Sequence, residues 1–267
     1  LASSPSLEPL TKILAEEVRL KTGLQLATGS GKPGPGDIGL ALDPVLTNET
    51  HRAVVTDRAI VQGGNYVGVG MGTVTILQAI QMADAKVSLP RMTVLDWPFA
   101  HYTGMMLDVA RQFNSIETLK QCVVLARLYK MKYFHLHLTD DQIFTFPSTK
   151  YAAKLKGVYA LAELRDLVKF ADERGVTIIP EFEMPGHTSQ LAVAFPDVFG
   201  DTQGCVINFL NPEAMPILTD LVNEMCDVFR SSPYFHMGSD ECNWDLFEKW
   251  PNVVEDRRSN NRGTAQQ

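Results

Sequence analysis

The pattern of apolar and polar positions changes at about residue 95. Before it, short apolar runs separated by Gly, Pro, Asn and Asp predict strands, and two stretches with one apolar face predict helices. Helices are expected over 9–20 and 72–82, and strands over 38–42, 53–56, 59–61 and 66–69. This order predicts a small, non-catalytic α+β domain, which we assign to residues 1–94.

After residue 95, apolar strand-like runs alternate with amphipathic helical stretches. Strands are predicted over 105–109, 132–138, 176–182 and 234–237, and helices over 116–129 and 161–172 and after Asn211 and Pro212. Such alternation is typical of a parallel sheet with helical crossovers, either doubly wound or closed into a barrel. The last residues are polar with little to bury, so 251–267 are predicted to be a disordered tail.

Composition and charge exclude several classes of protein. The 267 residues are 45% hydrophobic and 21% charged, which is ordinary for a globular protein. The net charge is −7 and no run of Lys or Arg occurs, so nucleic acid is not an expected partner. No apolar stretch reaches the roughly 18–20 residues that cross a bilayer. Because the chain starts at Leu1, a processed or truncated start is expected and the sequence is silent about a signal peptide.

The cysteines do not form a metal-binding pattern. They lie far apart with no CxxC pair, which argues against a zinc site. Cys122 and Cys226 fall in predicted helices and are expected to be buried thiols, and a disulfide between Cys205 and Cys242 is left open.

Polar residues follow each predicted strand of the second part. In chain order they are Asp108 and Arg111, then His135, His137, Asp140 and Asp141, then Glu181, Glu183 and His187, and finally Asp240 and Glu241. In a (β/α) barrel this is the face on which active sites lie, so four such groups in succession favour a site. The last pair consists of adjacent carboxylates, and two carboxylates in unequal environments are a common means of acid catalysis at neutral pH.

Two of these groups contain histidines that permit different interpretations. His135 and His137 lie on one face of a strand before Asp140 and Asp141, which is a candidate ligand set for a metal-dependent hydrolase. The competing interpretation of His137 is a core histidine bonded to a neighbour. His187 follows Pro185 and Gly186 in a predicted turn, which is expected to hold it over the end of the sheet, where it can orient a carboxylate.

Four segments together resemble the family 20 glycoside hydrolases, the β-N-acetylhexosaminidases. They are 104–111 (GMMLDVAR), 135–142 (HLHLTDDQ), 179–188 (IPEFEMPGHT) and 236–241 (HMGSDE). The N-terminal part also resembles the domain that precedes the barrel of that family, and the likeness extends to about Trp250. The resemblance implies a (β/α)8-type TIM barrel of which only about four βα units, residues 95–250, are present.

The resemblance implies a function as well as a fold. It is that of an exo-acting enzyme that removes terminal β-linked N-acetylglucosamine or N-acetylgalactosamine from glycans, glycoconjugates or chito-oligosaccharides. The implied mechanism is retaining and substrate-assisted, because the 2-acetamido oxygen of the sugar attacks the anomeric carbon. Glu241 would be the general acid and then the base, and Asp240 would orient the acetamido nitrogen. His187 and Asp140 would form the supporting catalytic network.

Further expectations follow from the same resemblance. Asp141, Glu183 and Asp108 are candidates for substrate binding or for support of the catalytic residues. No cofactor and no metal ion are expected. A lysosomal, secreted or periplasmic location is implied by the family alone.

The chain departs from the family pattern in three residues and in length. Thr103 stands where the family usually has an Arg that grips the sugar, Ser239 replaces a Gly, and Glu183 replaces an Asp. A closed barrel needs eight βα units, and the missing half would supply the acetamido pocket. A half-barrel exposes strand edges and apolar surface. We therefore expect a fragment, a splice or gene-model product, or a half completed by an oligomer or a partner chain.

Two other functions compete with the hydrolase. Thr103 and the missing half favour a degenerate, non-catalytic homologue that binds a sugar or a protein. The histidines His135 and His137 favour a metal-dependent hydrolase.

Overall fold

The computed structural model describes residues 2–3, 5–84, 86–200, 206–248 and 250–260. They form two compact units: the first comprises residues 1–105, 120–133 and 169–177, and the second 106–119, 134–168 and 178–267. Because the units interleave along the chain, the boundary after residue 94 stays a prediction. Within the described ranges, no helix is both long and apolar enough to span a bilayer.

The first unit contains a six-stranded sheet and a separate two-stranded ribbon. The sheet order is β2-β1-β3-β5-β4-β8, with β3 parallel to β5 and β4 antiparallel to both β5 and β8. The ribbon pairs β6 with β7. The strands are β1 (Ala2–Ser3), β2 (Gly29–Ser30), β3 (Ile38–Leu42), β4 (His51–Val55), β5 (Ala59–Gly63), β6 (Gln81–Ala83), β7 (Lys86–Ser88) and β8 (Met92–Asp96).

Two helices cover the core of this sheet. Helix α1 (Glu8–Thr22) follows a 3₁₀ turn and ends at Gly23, whose left-handed conformation (φ +79°) terminates the helix. Leu10, Leu14 and Val18 are buried on one face of α1, because residues four apart lie one above the other on a helix. They pack in one core with the alternating inward residues of the sheet, including Ala53 and Val61.

Helix α2 (Tyr66–Ala79) corrects the sequence-based prediction, which placed a strand over 66–69. Asn65 caps this helix, since its side-chain oxygen accepts a hydrogen bond from the Gly68 amide at 2.8 Å. Glycines let α2 lie directly on the sheet: a Cβ atom at Gly72 would come within 2.4 Å of Val61. The apolar run at 66–69 is therefore the first turn of a buried helix, which periodicity cannot distinguish from a short strand.

The second part of the chain follows the predicted alternation. Strands β9 (Gly104–Asp108), β10 (Tyr133–His137) and β11 (Thr177–Glu181) form a sheet in the order β11-β10-β9. Hydrogen bonds connect the residues at the start of each strand with those at the start of its neighbour, and the residues at the end of each strand with those at the end of its neighbour. The three strands are therefore parallel. The helices are α3 (Ile116–Leu128), α4 (Leu161–Asp172), α5 (Ser189–Ala194), α6 (Pro196–Phe199), α7 (Ala214–Val228), α8 (Trp244–Phe247) and α9 (Pro251–Asn260).

Residues 234–237, which were predicted as the fourth strand, do not form a regular strand in the structure. The segment makes a single parallel bridge, between His236 and Glu181, and bonds β11 through the His236 amide and carbonyl. Tyr234 and Met237 are exposed, because no described strand lies along their outer side. The segment therefore extends the sheet at one point only.

Two smaller predictions also differ from the structure. Residues 251–260 form helix α9 with Val253 buried, although their polar composition predicted disorder; residues 261–267 lie outside the described ranges. Cys226 is exposed rather than buried, and Cys122 is half-buried. Cys205 lies outside the described residues, so its pairing with Cys242 stays a prediction.

Candidate active site

Glu181, the last residue of β11, is the centre of a buried cluster in the second unit. Its Oε2 atom lies 2.8 Å from both His135 Nε2 and His137 Nδ1, and its Oε1 atom lies 2.8 Å from His236 Nδ1. Burial alone would raise the pKa of Glu181, but the contacts with His135 and His137 outweigh it and hold the pKa far below the ordinary value. Glu181 is therefore a carboxylate throughout the neutral range.

His137 is held between two carboxylates. Its Nδ1 contacts Glu181 and its Nε2 lies 3.0 Å from Asp140 Oδ2. Burial favours the neutral ring, but the hydrogen bond and charge of Glu181 prevail and raise the pKa of His137 to about 9. Both ring nitrogens are therefore engaged by carboxylates, and the ring is an imidazolium at neutral pH.

Asp140 uses its two oxygen atoms for different partners. Its Oδ2 lies 2.9 Å from Arg111 Nη2 as well as 3.0 Å from His137. Its Oδ1 accepts the amide of Asp141 at 2.7 Å. Arg111 also reaches Asp108, at 2.8 Å, so the guanidinium joins the carboxylates that follow β9 and β10.

His187 is the group that connects this cluster with the acidic loop. Its Nδ1 lies 3.2 Å from Asp141 Oδ2 and 3.5 Å from Asp140 Oδ1, and its Nε2 lies 3.5 Å from Glu241 Oε2. Burial would raise the pKa of Asp141, but hydrogen bonds from Ser189 and His187 lower it below the ordinary value. Asp141 thus stays ionised and presents a negative charge to the ring of His187.

The loop that carries Asp240 and Glu241 has an unusual backbone. Gly238, Ser239 and Glu241 have φ values of +68°, +82° and +48°, in the left-handed region. A Cβ at Gly238 would lie 1.8 Å from Glu183 Oε2, so only glycine fits there. Asp240 and Glu241 are both exposed, and the Glu241 side chain is 79% accessible.

Glu183 anchors this loop from below. It is 1% exposed, and its Oε1 accepts the Ser239 amide at 2.8 Å while Ser239 Oγ donates to the Met184 carbonyl at 2.9 Å. Burial raises the pKa of Glu183 to about 8, against the effect of the Ser239 amide and with the help of the negative Asp240. Glu183 is therefore mostly a neutral acid at pH 7, whereas Glu181, two residues earlier, is ionised.

The structure brings most of the predicted site residues together. Asp140, Asp141 and Glu241 all lie within 3.5 Å of the ring of His187, which is hydrogen-bonded to Asp141, and Glu183 lies beneath the loop of Asp240. Asp108 bonds only within its own turn and to Arg111. These positions are where the side chains lie; their catalytic roles stay predictions.

Three residues in the middle of the cluster were not predicted to act in it: Arg111, Glu181 and His236. Arg111 and Glu181 were visible in the sequence among the polar residues at the ends of the predicted strands. That two imidazoles from β10 and a third from His236 meet one carboxylate is a property of the folded sheet, which a single sequence does not show.

An apolar cavity of about 360 Å³ lies next to the acidic loop. Ser239 and Met237 contribute to its wall together with Met184, Pro185 and residues of α7 such as Leu218. None of its lining residues is ionisable, so the candidate chemistry belongs to the carboxylates and His187.

Comparison with family models gives two matches in chain order. Residues 1–97 match glycosyl hydrolase family 20, domain 2, and residues 101–267 match the family 20 catalytic domain. A beta-hexosaminidase of Porphyromonas gingivalis is 28% identical over 291 residues, covering 92% of this chain and 36% of the relative. A chitooligosaccharidolytic beta-N-acetylglucosaminidase of Bombyx mori is 33% identical over 227 residues, covering 76% of this chain and 38% of the relative.

Solved structures show the same likeness. The GH20 exo beta-N-acetylglucosaminidase of Vibrio harveyi, in complex with N-acetylglucosamine, superposes with a TM-score of 0.86 at 25% identity, covering 97% of this chain and 46% of that one. A beta-N-acetylhexosaminidase of Bacteroides fragilis superposes with a TM-score of 0.83 at 24% identity, covering 99% of this chain and 56% of that one. The chain thus spans less than half the length of the two curated relatives. Because domain 2 and the catalytic domain match in order over nearly all of the sequence, the chain belongs to glycosyl hydrolase family 20.

Proposed function

We propose that the complete protein is an exo-β-N-acetylhexosaminidase and that this chain carries its acid/base residue. The observation that supports this most directly is the position of His187 between the Asp140–Asp141 pair and Glu241. A carboxylate that faces a histidine, itself held by further carboxylates, is placed where a general acid can be oriented toward a substrate. The names of the relatives support the same activity.

In the proposed reaction Glu241 acts twice. It protonates the glycosidic oxygen while the bond from this oxygen to the anomeric carbon breaks and the 2-acetamido oxygen of the sugar bonds to that carbon. The cyclic oxazolinium ion is then opened by water, from which the Glu241 carboxylate takes a proton. Two inversions at the anomeric carbon give net retention.

Asp240 is assigned to the acetamido group of the substrate. Its carboxylate would accept a hydrogen bond from the acetamido nitrogen and stabilise the positive charge that develops there. Glu183 supports this role, because a neutral acid below the loop adds no second negative charge and can donate a hydrogen bond. Asp141 and Asp140 would hold His187 in place, and Asp108 would hold Arg111.

We further propose that residues 95–250 are roughly the first half of a (β/α)8 barrel. The three parallel strands and the His236 bridge support this arrangement, since each lies where consecutive barrel strands would. The remaining units would come from a longer protein, a second copy or a partner chain. Co-elution of this chain with such a half, and a cooperative melt only in its presence, would support the proposal; a cooperative melt of the monomeric chain alone would contradict it.

The proposed substrates are glycans, glycoconjugates or chito-oligosaccharides that end in a β-linked N-acetylhexosamine. The proposed scheme needs no metal ion or cofactor, because the nucleophile is part of the sugar. A second candidate is a non-catalytic homologue that binds a sugar or a protein, but the fold removes the support that Thr103 gave it. The Thr103 carbonyl accepts the Lys132 and Tyr133 amides where β9 and β10 begin, which is the end of β9 opposite Asp108, so an Arg at this position would not face the candidate site. Binding of a thiazoline inhibitor without turnover would favour that candidate.

Hydrolysis of p-nitrophenyl N-acetyl-β-glucosaminide by the full-length protein tests the proposal. Glu241→Gln is expected to lower kcat by about 10²- to 10⁴-fold, because it removes the proton donor and leaves the side-chain volume unchanged. Glu224→Gln is the matched control, since Glu224 lies on α7 and bonds Ser148 and the Thr149 amide. Turnover that survives Glu241→Gln at the wild-type rate would overturn the assignment.

A further inference from the structure

A continuous series of polar side chains runs beneath the candidate catalytic residues. In spatial order it comprises Arg111, Asp140, His137, Glu181 and His236, with successive polar atoms 2.8–3.0 Å apart. Asp140, His137 and Glu181 are at most 3% exposed. The series connects the turn after β9 with the segment that leads to the acidic loop.

The two carboxylate oxygens of Asp140 face different groups: one faces this series and the other faces His187. Oδ2 is occupied by Arg111 and His137, and Oδ1 remains for the Asp141 amide and for His187. A carboxylate held at one oxygen by two cationic donors cannot rotate without breaking both charged hydrogen bonds. The orientation of Oδ1 toward His187 is therefore set from the opposite side of the carboxylate.

The charge of His137 depends on the groups packed around it. Glu181 on β11 supplies the strongest attraction, and Asp108 after β9 and Asp140 after β10 add to it. His135 lies on the same strand and shares the Glu181 oxygen, and Arg111 meets the other side of Asp140. With Glu181 replaced by a neutral residue, the imidazolium loses its strongest attraction and burial favours the neutral ring.

We propose that His137 is a positioning residue for the hydrolytic reaction: bonded to Glu181 through Nδ1 and to Asp140 through Nε2, it fixes the Asp140 carboxylate beside the ring of His187, whose other nitrogen faces Glu241. This inference rests on the proposed function only for its kinetic consequence. His137 itself touches neither His187 nor Glu241 among the contacts described, and it acts through Asp140. Its neutral form can donate from only one ring nitrogen, so it cannot bond both carboxylates.

Two substitutions separate this role from a purely structural one. His137→Gln is expected to lower kcat by roughly 10- to 100-fold at both pH 6 and pH 8, with KM changed less than about twofold, as is typical for residues that orient a catalytic group. Glu181→Gln is expected to give a pH-dependent defect. Because loss of Glu181 lowers the pKa of His137, kcat relative to wild type at the same pH is expected to fall further at pH 8, where the neutral ring is favoured, than at pH 6.

The measurement is kcat and KM of the full-length protein at the two pH values, with unfolding curves to confirm that each variant is folded. Glu224→Gln and His51→Gln are the matched controls, because they replace a carboxylate and a buried histidine outside the series. An equal loss at pH 6 and pH 8 in Glu181→Gln would overturn the proposal.

An inactive wild-type protein would contradict the proposed function without deciding this inference. Imidazole NMR signals of His187 then provide the test. They are expected to differ between wild type and Glu181→Gln, and to differ more at pH 8 than at pH 6. Coincident His187 signals at both pH values would overturn the positioning role.

Discussion

Each compact unit contains a buried network of ion pairs and hydrogen bonds. The network of the first unit is closed within the fold, whereas that of the second reaches an exposed side chain. In the first unit, Arg127 forms a bidentate pair with Glu17 at 2.7 and 2.9 Å and donates its other hydrogens to Thr73 and to the carbonyls of Gly70 and Arg174. All five donors of the guanidinium therefore meet acceptors within the fold. The network of the second unit instead ends on His187, which faces an exposed carboxylate.

The difference indicates two uses of buried charge. A guanidinium stays protonated at any physiological pH, so the Arg127 network cannot change state. The second network contains an imidazole and carboxylates whose pKa values are shifted in opposite directions, and such groups cluster at functional sites. The first network is thus expected to affect stability alone, and the second both stability and activity.

Removing Arg127 should produce the largest effect. Arg127→Met leaves Glu17 and the Gly70 carbonyl without their donor in a buried site, which typically costs about 3–5 kcal/mol of unfolding free energy. Urea denaturation of the wild type and the variant measures this loss of unfolding free energy. Arg19→Met is the control, because Arg19 pairs with Glu16 on the exposed surface of α1 and its loss should change the unfolding free energy far less. A loss below about 1 kcal/mol for Arg127→Met would contradict a structural role for the network.

The pH dependence of stability should distinguish the two networks. The folded-state pKa of His137 is about 9 against 6.5 in the unfolded chain, so its contribution is complete below pH 6.5 and disappears as the pH rises through 9. A shift of this size corresponds to on the order of 3 kcal/mol. The wild type should therefore lose more stability between pH 6 and pH 9.5 than His137→Gln does. Parallel curves for the two proteins would be inconsistent with a charged His137.

Glu183→Gln should have the smallest effect on the unfolding free energy, and it should raise it rather than lower it. The pKa of Glu183 is raised from 4.5 to about 8, so folding at neutral pH requires proton uptake, and the cost grows between these values. The substitution should stabilise the protein by about 1–3 kcal/mol at pH 8 and leave it nearly unchanged at pH 4.

Glu224→Gln is the matched comparison for Glu183→Gln in unfolding experiments at both pH values. Burial alone would raise the pKa of Glu224, but hydrogen bonds from Ser148 and Thr149 lower it below the ordinary value. Replacement of Glu224 should therefore destabilise the protein at pH 8. Destabilisation at pH 8 by Glu183→Gln as well would show that the Ser239 amide bond outweighs the cost of burial.

The fold was predictable where a segment has a long and regular pattern. Helix α4 was predicted with the bounds that the structure has, because twelve residues with one apolar face define both period and ends. The strand predicted at 66–69 was wrong, since four apolar residues fit either a strand or the first turn of a buried helix. The strand predicted at 234–237 lacks an outer neighbour, and strand pairing depends on a partner that local sequence does not contain.

The sequence by itself determined which residues follow each strand, and thereby that acids and histidines gather at one edge of the sheet. Only the tertiary structure decided their charge. Glu181 and Glu183 are the same residue type two positions apart, at and just beyond the end of β11, yet one is ionised and the other is mostly neutral at pH 7. The reason is physical: a pKa depends on burial and on neighbouring charges, and the three imidazoles around Glu181 and the loop above Glu183 come from other segments of the chain.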